Sequence, residues 1–231
     1  MSSKAQIESA LQEFEPNQLF FASKLYQERL AESVSEAAYY KALERMVKAS
    51  TLKKAARGVY YIPRKSKFGL MPPSEKDVID AFTKGETGTV IGYALYNSLK
   101  LTTQVSKQTE VLTSSLEQQS KSIGSVFLTQ CSLAFNEKNR IIISAMDVLQ
   151  NYYRIQEMAP QSFLSFCQKI AADYDDSAFV SVQEKLHYSK STIAFLKSIL
   201  DYYGTSNSLS KYLSKLSVYK YPRMEDLYAT S

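Results

Sequence analysis

The sequence predicts an α+β fold, with an N-terminal winged helix-turn-helix followed by an α/β domain that ends in several helices. Three observations support this prediction. Three helical patterns and a β-hairpin pattern occupy the first part of the chain, a Met-Pro-Pro break follows them, and the last third shows helical periodicity alone. We therefore predict one domain over residues 1–68 and a second over residues 69–231.

Three helices are predicted in the first fifty residues. Apolar residues recur at helical spacing over 4–15, Pro16 ends that helix, and a second helix of undefined length covers 20–26. Ser35 is a suitable N-cap for a third helix that runs to about Ala49. The apolar face of this third helix is made of Tyr39, Ala42, Leu43, Met46 and Val47.

A hairpin is predicted immediately after the third helix. Two β-prone runs, 51–54 and 59–63, flank a turn that contains Gly58. Three helices followed by a basic hairpin is the order of elements in a winged helix-turn-helix.

The remainder of the chain predicts mixed structure that becomes purely helical. The predicted helices before the last third cover 74–83, 93–100 and 144–156. The β-prone segments cover 87–91, 110–113 and 122–135. Three apolar stripes at helical spacing, over 163–170, 193–203 and 209–216, are expected to form core. Residues 219–231 are expected to be a tail.

The excess positive charge lies in one short segment. The formal net charge is +5, yet residues 33–68 alone hold nine basic and two acidic side chains, net +7. Residues 69–231 are neutral overall and residues 1–32 are slightly acidic. Such a block is typical of a site for a polyanion, although a solvated basic surface has the same composition.

The third predicted helix has the pattern of a helix that enters the DNA major groove. Lys41, Arg45 and Lys48 share the face opposite its apolar residues, and Ala37 and Ala38 keep its N-terminal end narrow. The major groove admits a helix, and long cations and methyl groups contact base edges there. The sequence therefore predicts a binding site for double-stranded DNA.

The hairpin and the segment after it add further candidate contacts. Long cations there are expected to meet phosphates, which set position and salt dependence but not sequence preference. These cations are Lys53, Lys54, Arg57, Arg64, Lys65 and Lys67. Arg57 beside Gly58 is the candidate wing tip for the minor groove, and Tyr40 on the helix is a candidate contact to a base or sugar.

Three segments resemble the antitoxins of abortive-infection AbiE (type IV) toxin–antitoxin systems. Residues 42–52 (ALERMVKASTL) resemble that family's ALxRLVKxGxI pattern, and 57–63 (RGVYYIP) its RGxYxxP pattern. Residues 92–105 (GYALYNSLKLTTQV) resemble GxxAxxxLGLTTQVP, and the short strand VLT follows at 111–113. The resemblance covers about residues 35–150.

Three positions depart from that pattern. Ser50 and Lys100 stand where the family usually has glycine, and Ser106 stands where it has proline. Ser50 falls at a helix end that favours a left-handed residue.

The resemblance implies a function in gene regulation. An N-terminal winged helix would repress the protein's own operon by binding repeats in its promoter, and the C-terminal α/β domain would be needed for antitoxin action. It also implies that the functional partner is a nucleotidyltransferase-like toxin. The antitoxin would oppose this toxin without needing to form a stable complex with it.

The sequence does not predict an enzyme. No GxSxG, HExxH, CxxC or GxxxxGK[ST] spacing occurs. The sole histidine, His187, has no acidic or nucleophilic pattern around it, so a surface or partly packed position is expected. Asp173, Asp175 and Asp176 are better explained by a helix terminus than by a metal site. We expect no catalytic residue, cofactor or metal.

Cysteine usage and hydropathy predict a cytoplasmic protein. Cys131 and Cys167 show no metal or redox spacing, so we expect both thiols to pack as small apolar groups in a reducing compartment. No apolar run approaches the roughly 18 residues that a membrane span needs. The N-terminus lacks a signal-peptide pattern.

Other functions stay open at this point. A winged helix also serves as a protein-docking module, and the C-terminal helices could bind a toxin or phage component through Tyr152-Tyr153, Tyr202-Tyr203 or Tyr219–Tyr221. A nuclease or transferase with unrecognised residues is a third possibility. RNA binding is disfavoured because the chain has no RNP-like aromatic strand or GxxG loop.

Overall fold

The computed structural model describes residues 3–229 and has a mixed α+β fold, as predicted. These residues divide into two compact units. The first unit contains the chain up to Lys84 together with Ser115–Gln130, and the second contains Gly85–Ser114 together with the chain from Cys131 onward. The first unit is thus larger than the predicted N-terminal domain, whose boundary at residues 68 and 69 stays a prediction.

Ten α-helices, nine strands and three short π- or 3-10-helical segments make up the regular structure of residues 3–229. The helices are α1 (Ser3–Leu11), α2 (Ala22–Leu25), α3 (Glu36–Lys48), α4 (Glu75–Thr83), α5 (Gly92–Ser98), α6 (Glu137–Asn151), α7 (Pro160–Asp173), α8 (Asp176–Leu186), α9 (Lys190–Tyr202) and α10 (Met224–Ala229). The strands are β1 (Leu19–Phe21), β2 (Lys53–Ala56), β3 (Val59–Tyr61), β4 (Arg64–Ser66), β5 (Gly69–Met71), β6 (Gly88–Ile91), β7 (Thr109–Thr113), β8 (Ser120–Ile123) and β9 (Val126–Gln130).

The second predicted helix is partly wrong, because its first residues form a strand. Leu19–Phe21 is β1, which pairs antiparallel with β3 from Leu19 opposite Tyr61 to Phe21 opposite Val59. Leu19 and Phe20 are buried in that position, so pairing and burial outweigh the short helical pattern. Helix α2 begins only after the strand and continues as a π-helical turn, Tyr26–Leu30.

Strands β1, β3 and β2 form a three-stranded antiparallel sheet in that order. Helices α1 and α3 pack beside the sheet around a common apolar core. At the centre of this core the buried Tyr39 donates a hydrogen bond from its hydroxyl to the Ala22 carbonyl, 3.1 Å away. The fully or largely buried members of the core include Ile7, Leu11, Phe20, Leu25, Leu30, Val34, Leu43, Leu52 and Tyr60.

The predicted strand over 122–135 is also wrong in part, because it is a hairpin followed by a loop. Strand β8 pairs antiparallel with β9, from Ser120 opposite Thr129 to Ile123 opposite Val126. Gly124 makes the turn between them with a φ of 58°, which glycine adopts without steric cost. The hairpin belongs to the first unit because β8 lies against β2 and β9 lies against α4.

The second unit combines a pair of antiparallel strands, separated in the chain by α5, with a helical core. Strands β6 and β7 pair antiparallel, from Gly88 opposite Thr113 to Ile91 opposite Glu110. Helix α6 begins at Glu137, earlier than predicted, because Asn136 caps it by accepting a hydrogen bond from the Asn139 amide. Helices α7 and α9 confirm the first two predicted apolar stripes, and α8 lies between them in the chain. The third stripe, over 209–216, is wrong in part, because only Leu209–Tyr212 forms a short 3-10 helix and Leu216 is 97% exposed.

Residues 224–229 of the predicted C-terminal tail form a helix, and residues 230 and 231 lie outside the described residues. Helix α10 packs against α7 and α9, with Met224 buried and the Tyr203 and Tyr228 hydroxyls 2.8 Å apart. Within residues 3–229, no helix has both the length and the apolar character to cross a bilayer.

Candidate nucleic-acid interface

Helix α3 is fixed at both ends by local hydrogen bonds. The Ser35 side chain accepts a hydrogen bond from the Ala38 amide, which confirms the predicted N-cap. At the other end Ser50 takes a left-handed φ of 58°. The Ser50 amide donates to the Val47 carbonyl and the Thr51 amide to the Met46 carbonyl, the two bonds of a Schellman motif.

The outward face of α3 carries three exposed cations, Lys41, Arg45 and Lys48, which we call the α3 cation face. Tyr39 and Leu43 on the opposite side are fully buried, so the amphipathic prediction for this helix is confirmed. The cation face is held outward because its opposite side is anchored in the core.

The residues predicted to flank this face differ in accessibility. Ala37 is exposed, whereas Ala38 and Tyr40 are half-buried and pack against the core of the first unit. The Tyr40 ring lies edge-on to Tyr39, with 5.2 Å between the ring centroids. Burial, together with the Glu36 carboxylate, raises the pKa of Tyr40, so its hydroxyl stays a neutral hydrogen-bond donor.

The predicted hairpin is formed by β2 and β3, with Arg57 and Gly58 as its two turn residues. A bulge at Ala55 shifts the register between Lys54, opposite Tyr60, and Ala56, opposite Val59. Lys54 is exposed. Lys53 is half-buried, and its ammonium lies 3.4 Å from the Ser50 hydroxyl.

The hairpin turn faces an acidic residue that no local pattern indicates. The Arg57 guanidinium forms an ion pair with the Glu117 carboxylate, Nε to Oε2 3.6 Å, and both side chains are largely exposed. Gly58 has a φ of 70°, and a Cβ built on it would lie 2.5 Å from Glu117 Oε1. The predicted wing tip at Arg57 therefore lies next to an acidic side chain, Glu117.

The last three cations of the basic block lie on a second hairpin, which the sequence reading missed. Strands β4 and β5 pair antiparallel, from Arg64 opposite Met71 to Ser66 opposite Gly69. Arg64, Lys65 and Lys67 are exposed on it, so the segment that follows the first hairpin is a second hairpin. The short spacing between Pro63 and Gly69 was the available signal for a turn.

Few cations of the basic block (residues 33–68) form ion pairs with acidic side chains of the chain itself. Among residues 3–229, Arg57 is the only one of its nine cations that forms an ion pair within 4 Å. The other eight form no such pair, and all of them except the half-buried Lys53 are exposed. They are Lys41, Arg45, Lys48, Lys53, Lys54, Arg64, Lys65 and Lys67.

The aspartates and the histidine considered in the sequence analysis lie in the second unit, at or near the ends of helix α8. Asp175 is the N-cap of α8, accepting from the Ala178 amide, which confirms the helix-terminus interpretation. Asp176 accepts from the Tyr174 hydroxyl. His187 is exposed at the end of the same helix with a left-handed φ of 51°. No group of three or more His, Cys, Asp or Glu side chains within residues 3–229 is arranged to hold a metal ion.

Both cysteines are free thiols and both are buried, as predicted. Burial raises the pKa of Cys167 to about 12 and raises that of Cys131 as well. Neither thiol is accessible in the way that a reactive cysteine is, and burial outweighs the nearby Lys185, which acts to lower the pKa of Cys131.

A protein-family model described as a family of unknown function (DUF6088) matches residues 6–161, more than half of the chain. The chain belongs to this family. No match is found among curated proteins. The DUF6088 region contains the whole basic block and α3, and it ends at the start of α7, so helices α8, α9 and α10 lie outside it.

Proposed function

We propose that the chain is a sequence-specific, double-stranded-DNA-binding repressor whose N-terminal residues act as a winged helix-turn-helix. The observation that carries this proposal is the α3 cation face, exposed and without ion pairs among residues 3–229, directly followed by a basic hairpin. A helix with this face fits the major groove, and the hairpin then adds contacts to the backbone.

The order of elements supports the winged-helix part of the proposal. A strand between the first two helices pairs with the hairpin that follows the third, which gives the sheet order β1, β3, β2. This sheet ties the hairpin to the body of the unit that holds α3. The hairpin and α3 are thereby able to act on one ligand as a single element.

In the proposed complex the contacts divide into two kinds. Arg45 lies in the middle of the α3 cation face, where an arginine pairs with the O6 and N7 atoms of guanine through two hydrogen bonds. Lys54 and Lys65 contact phosphates, which supplies affinity and salt dependence without reading the bases.

The resemblance to AbiE-type antitoxins extends the proposal to the operon. The repressor would bind repeats in its own promoter and would also oppose a nucleotidyltransferase-like toxin. Co-expression tests this extension. A neighbouring toxin gene of that class should arrest growth when expressed alone, and co-expression of the full chain should restore growth.

Binding of the full-length protein to a fluorescent duplex from the DNA upstream of its own gene tests the repressor directly. A scrambled duplex of equal length is the comparison, over roughly 50–200 mM salt. Arg45→Ala should weaken binding to the upstream duplex about tenfold or more, since one bidentate base contact contributes about 1–3 kcal/mol.

Arg29→Ala is the matched control for that variant. Arg29 is an exposed arginine of the same unit, but it lies outside the basic block and pairs with Glu13. It should bind both duplexes as the wild type does. Equal, weak binding of the wild type to both duplexes would contradict the repressor proposal.

A protein-interaction module is the second candidate. Leu216 and Val218, between α9 and α10, are 97% and 95% exposed, and Tyr153 is 74% exposed. Other tyrosines of the predicted interaction surfaces are packed, among them Tyr152, Tyr203 and Tyr221. Under this alternative, capture of the toxin protein by the full chain would survive Arg45→Ala and would be lost in Leu216→Ala.

A further inference from the structure

The tip of the β4–β5 hairpin presents an unusual apolar side chain. Phe68 is 100% exposed, with Lys67 beside it in the two-residue turn between Ser66 and Gly69. Leu70 and Met71 on β5 are 43% and 46% exposed. Exposing a whole phenyl ring to water is costly, so a ring in this position gains free energy by entering an apolar or stacked environment.

The turn that carries Phe68 is held in a defined conformation. The Ser66 hydroxyl accepts a hydrogen bond from the Phe68 amide (3.1 Å) and donates one to the Gly69 carbonyl (3.0 Å). Gly69 has a φ of 108°, a conformation that favours glycine. The ring is therefore presented on a structured tip.

The base of the same hairpin is clasped by one buried side chain. Asn17 is 8% exposed, and its Oδ1 accepts from the Arg64 amide (3.0 Å) while its Nδ2 donates to the Pro72 carbonyl (3.1 Å). Its own amide donates to the Ile62 carbonyl (2.7 Å). Asn17 thus joins both legs of the hairpin to the body of the first unit, so the tip is positioned relative to that unit.

The charge around the ring indicates a polyanion as its partner. Arg64, Lys65 and Lys67 are exposed on the hairpin, and residues 64–71 include no acidic side chain. None of the three cations forms an ion pair within 4 Å among residues 3–229. An apolar ring on a hairpin that carries three long cations matches a nucleic acid, whose phosphates flank stacked bases.

We propose that the β4–β5 hairpin inserts into the DNA minor groove, with Phe68 as a wedge that partly unstacks one base step and bends the duplex. This inference rests on the proposed function and adds a second contact to the one made by α3. A strand of three residues rises about 10 Å, which exceeds the ~7.5 Å depth of the minor groove. Phenylalanine and leucine both serve as such wedges, and the resulting kinks bend the duplex toward the major groove.

Bending of DNA by the full-length protein tests the wedge. A duplex from the upstream region carries a donor dye at one end and an acceptor at the other, so that bending raises energy transfer. Wild-type protein should raise it, and Phe68→Ala should lose most of that rise and bind about tenfold more weakly, in line with the loss of one stacked ring. Phe68→Leu should retain much of the bend.

Val105→Ala is the matched control, because Val105 is 84% exposed but lies outside the basic block. It should bend the duplex as the wild type does. Since Phe68 is wholly exposed, its replacement should leave the thermal unfolding midpoint unchanged, which separates a lost contact from a lost fold.

The outcomes separate the wedge from the repressor. Selective binding to the upstream duplex with equal bending and affinity for wild type and Phe68→Ala overturns the wedge and leaves the repressor standing. A different result would favour a lipid surface and overturn the wedge. In that case the wild type binds anionic phosphatidylglycerol vesicles, Phe68→Ala does not bind them, and DNA bending is the same for both proteins. Absence of selective duplex binding by the wild type overturns both.

Discussion

Glu117 faces the turn of the β2–β3 hairpin, where it competes with any anion that approaches Arg57. The pair is exposed, with 73% of the arginine and 46% of the glutamate side chain accessible, so solvent screens it and its contribution to stability is small. The pair should affect ligand binding more than stability, because a phosphate that approaches Arg57 must either displace the Glu117 carboxylate or be repelled by it.

Glu117→Gln should strengthen binding to duplex DNA about two- to fivefold at low salt, because the variant removes a negative charge from the proposed interface. The affinities for the upstream duplex and for the scrambled duplex should increase equally, since the effect is not base-specific. Fluorescence anisotropy titrations over increasing salt measure this, and the gain should shrink as salt rises.

Glu13→Gln is the matched control for that change. Glu13 is likewise an exposed acid of the first unit paired with an arginine, Arg29, but it lies outside the basic block. It should leave DNA affinity unchanged. Equal binding of Glu117→Gln and the wild type at low salt would place Arg57 away from the DNA, and weaker binding of the variant would contradict competition between Glu117 and phosphate.

At the scale of elements, two helices end in the same way. Ser50 after α3 and Lys100 after α5 have left-handed φ values of 58° and 59°. After α5, the Lys100 amide donates to the Asn97 carbonyl and the Leu101 amide to the Tyr96 carbonyl, the Schellman pattern also seen after α3. Both are positions where the AbiE-type pattern usually has glycine, so both departures carry a conformational cost.

Ser50→Gly and Lys100→Gly should each raise the free energy of unfolding by roughly 0.5–1 kcal/mol. A left-handed backbone conformation costs a residue with a Cβ about 1–2 kcal/mol, and glycine removes this cost. The greater freedom of glycine in the unfolded chain offsets part of the resulting stabilisation. Urea unfolding followed by circular dichroism measures the change.

Ala49→Gly provides the contrasting control. Ala49 precedes Ser50 and has an ordinary right-handed conformation, with a φ of −77°. Glycine there should lower stability, because it adds freedom to the unfolded chain without relieving strain. A loss of stability in Ser50→Gly as well would show that the left-handed backbone is not the controlling factor.

On the scale of the molecule, the second unit holds a buried carboxyl between α5 and α6. Asp147 accepts from the Gly92 amide (Oδ2, 2.9 Å) and hydrogen-bonds to Tyr96, and Asn151 lies 3.4 Å from its Oδ1. Burial raises the pKa of Asp147, and these hydrogen bonds offset only part of that effect. The folded chain therefore keeps the Asp147 proton to a higher pH than the unfolded chain does.

Asp147 should accordingly make stability fall as pH rises. Its contribution is most favourable below the ordinary aspartate pKa of about 3.9 and declines as pH passes from there through the raised folded-state pKa. Asp147→Asn removes this titration. Urea unfolding of both proteins from about pH 4 to pH 7 should show the stability of the wild type, relative to the variant, decreasing with pH.

Comparing the two proteins cancels titrations that do not depend on Asp147. Glu110 is not cancelled, because the Asp147 charge adds to the effect of burial in raising the pKa of Glu110. Asp175, whose pKa is lowered chiefly by its hydrogen bonds with Lys138 and Ser177, makes the opposite contribution, which is lost as pH falls. It is present in both chains. A wild-type advantage that grows with pH would mean that Asp147 is better stabilised as the carboxylate.

Several features could be predicted from the sequence alone. The extent of α3, its buried Tyr39 and Leu43, its Ser35 cap and the turn at Gly58 all follow from spacing and capping within a few residues. The helical last third follows from the same kind of local periodicity. Such interactions join neighbours in the chain, so the order of residues records them directly.

Other features were decided only by the tertiary structure. Leu19–Phe21 is a strand because β3 offers it a partner about forty positions later, and Glu117 reaches Arg57 from sixty positions away. Asn17 likewise clasps a hairpin whose legs lie near residues 64 and 72. Backbone pairing and ion pairs between distant segments depend on where the chain folds back, and local propensity does not encode that position.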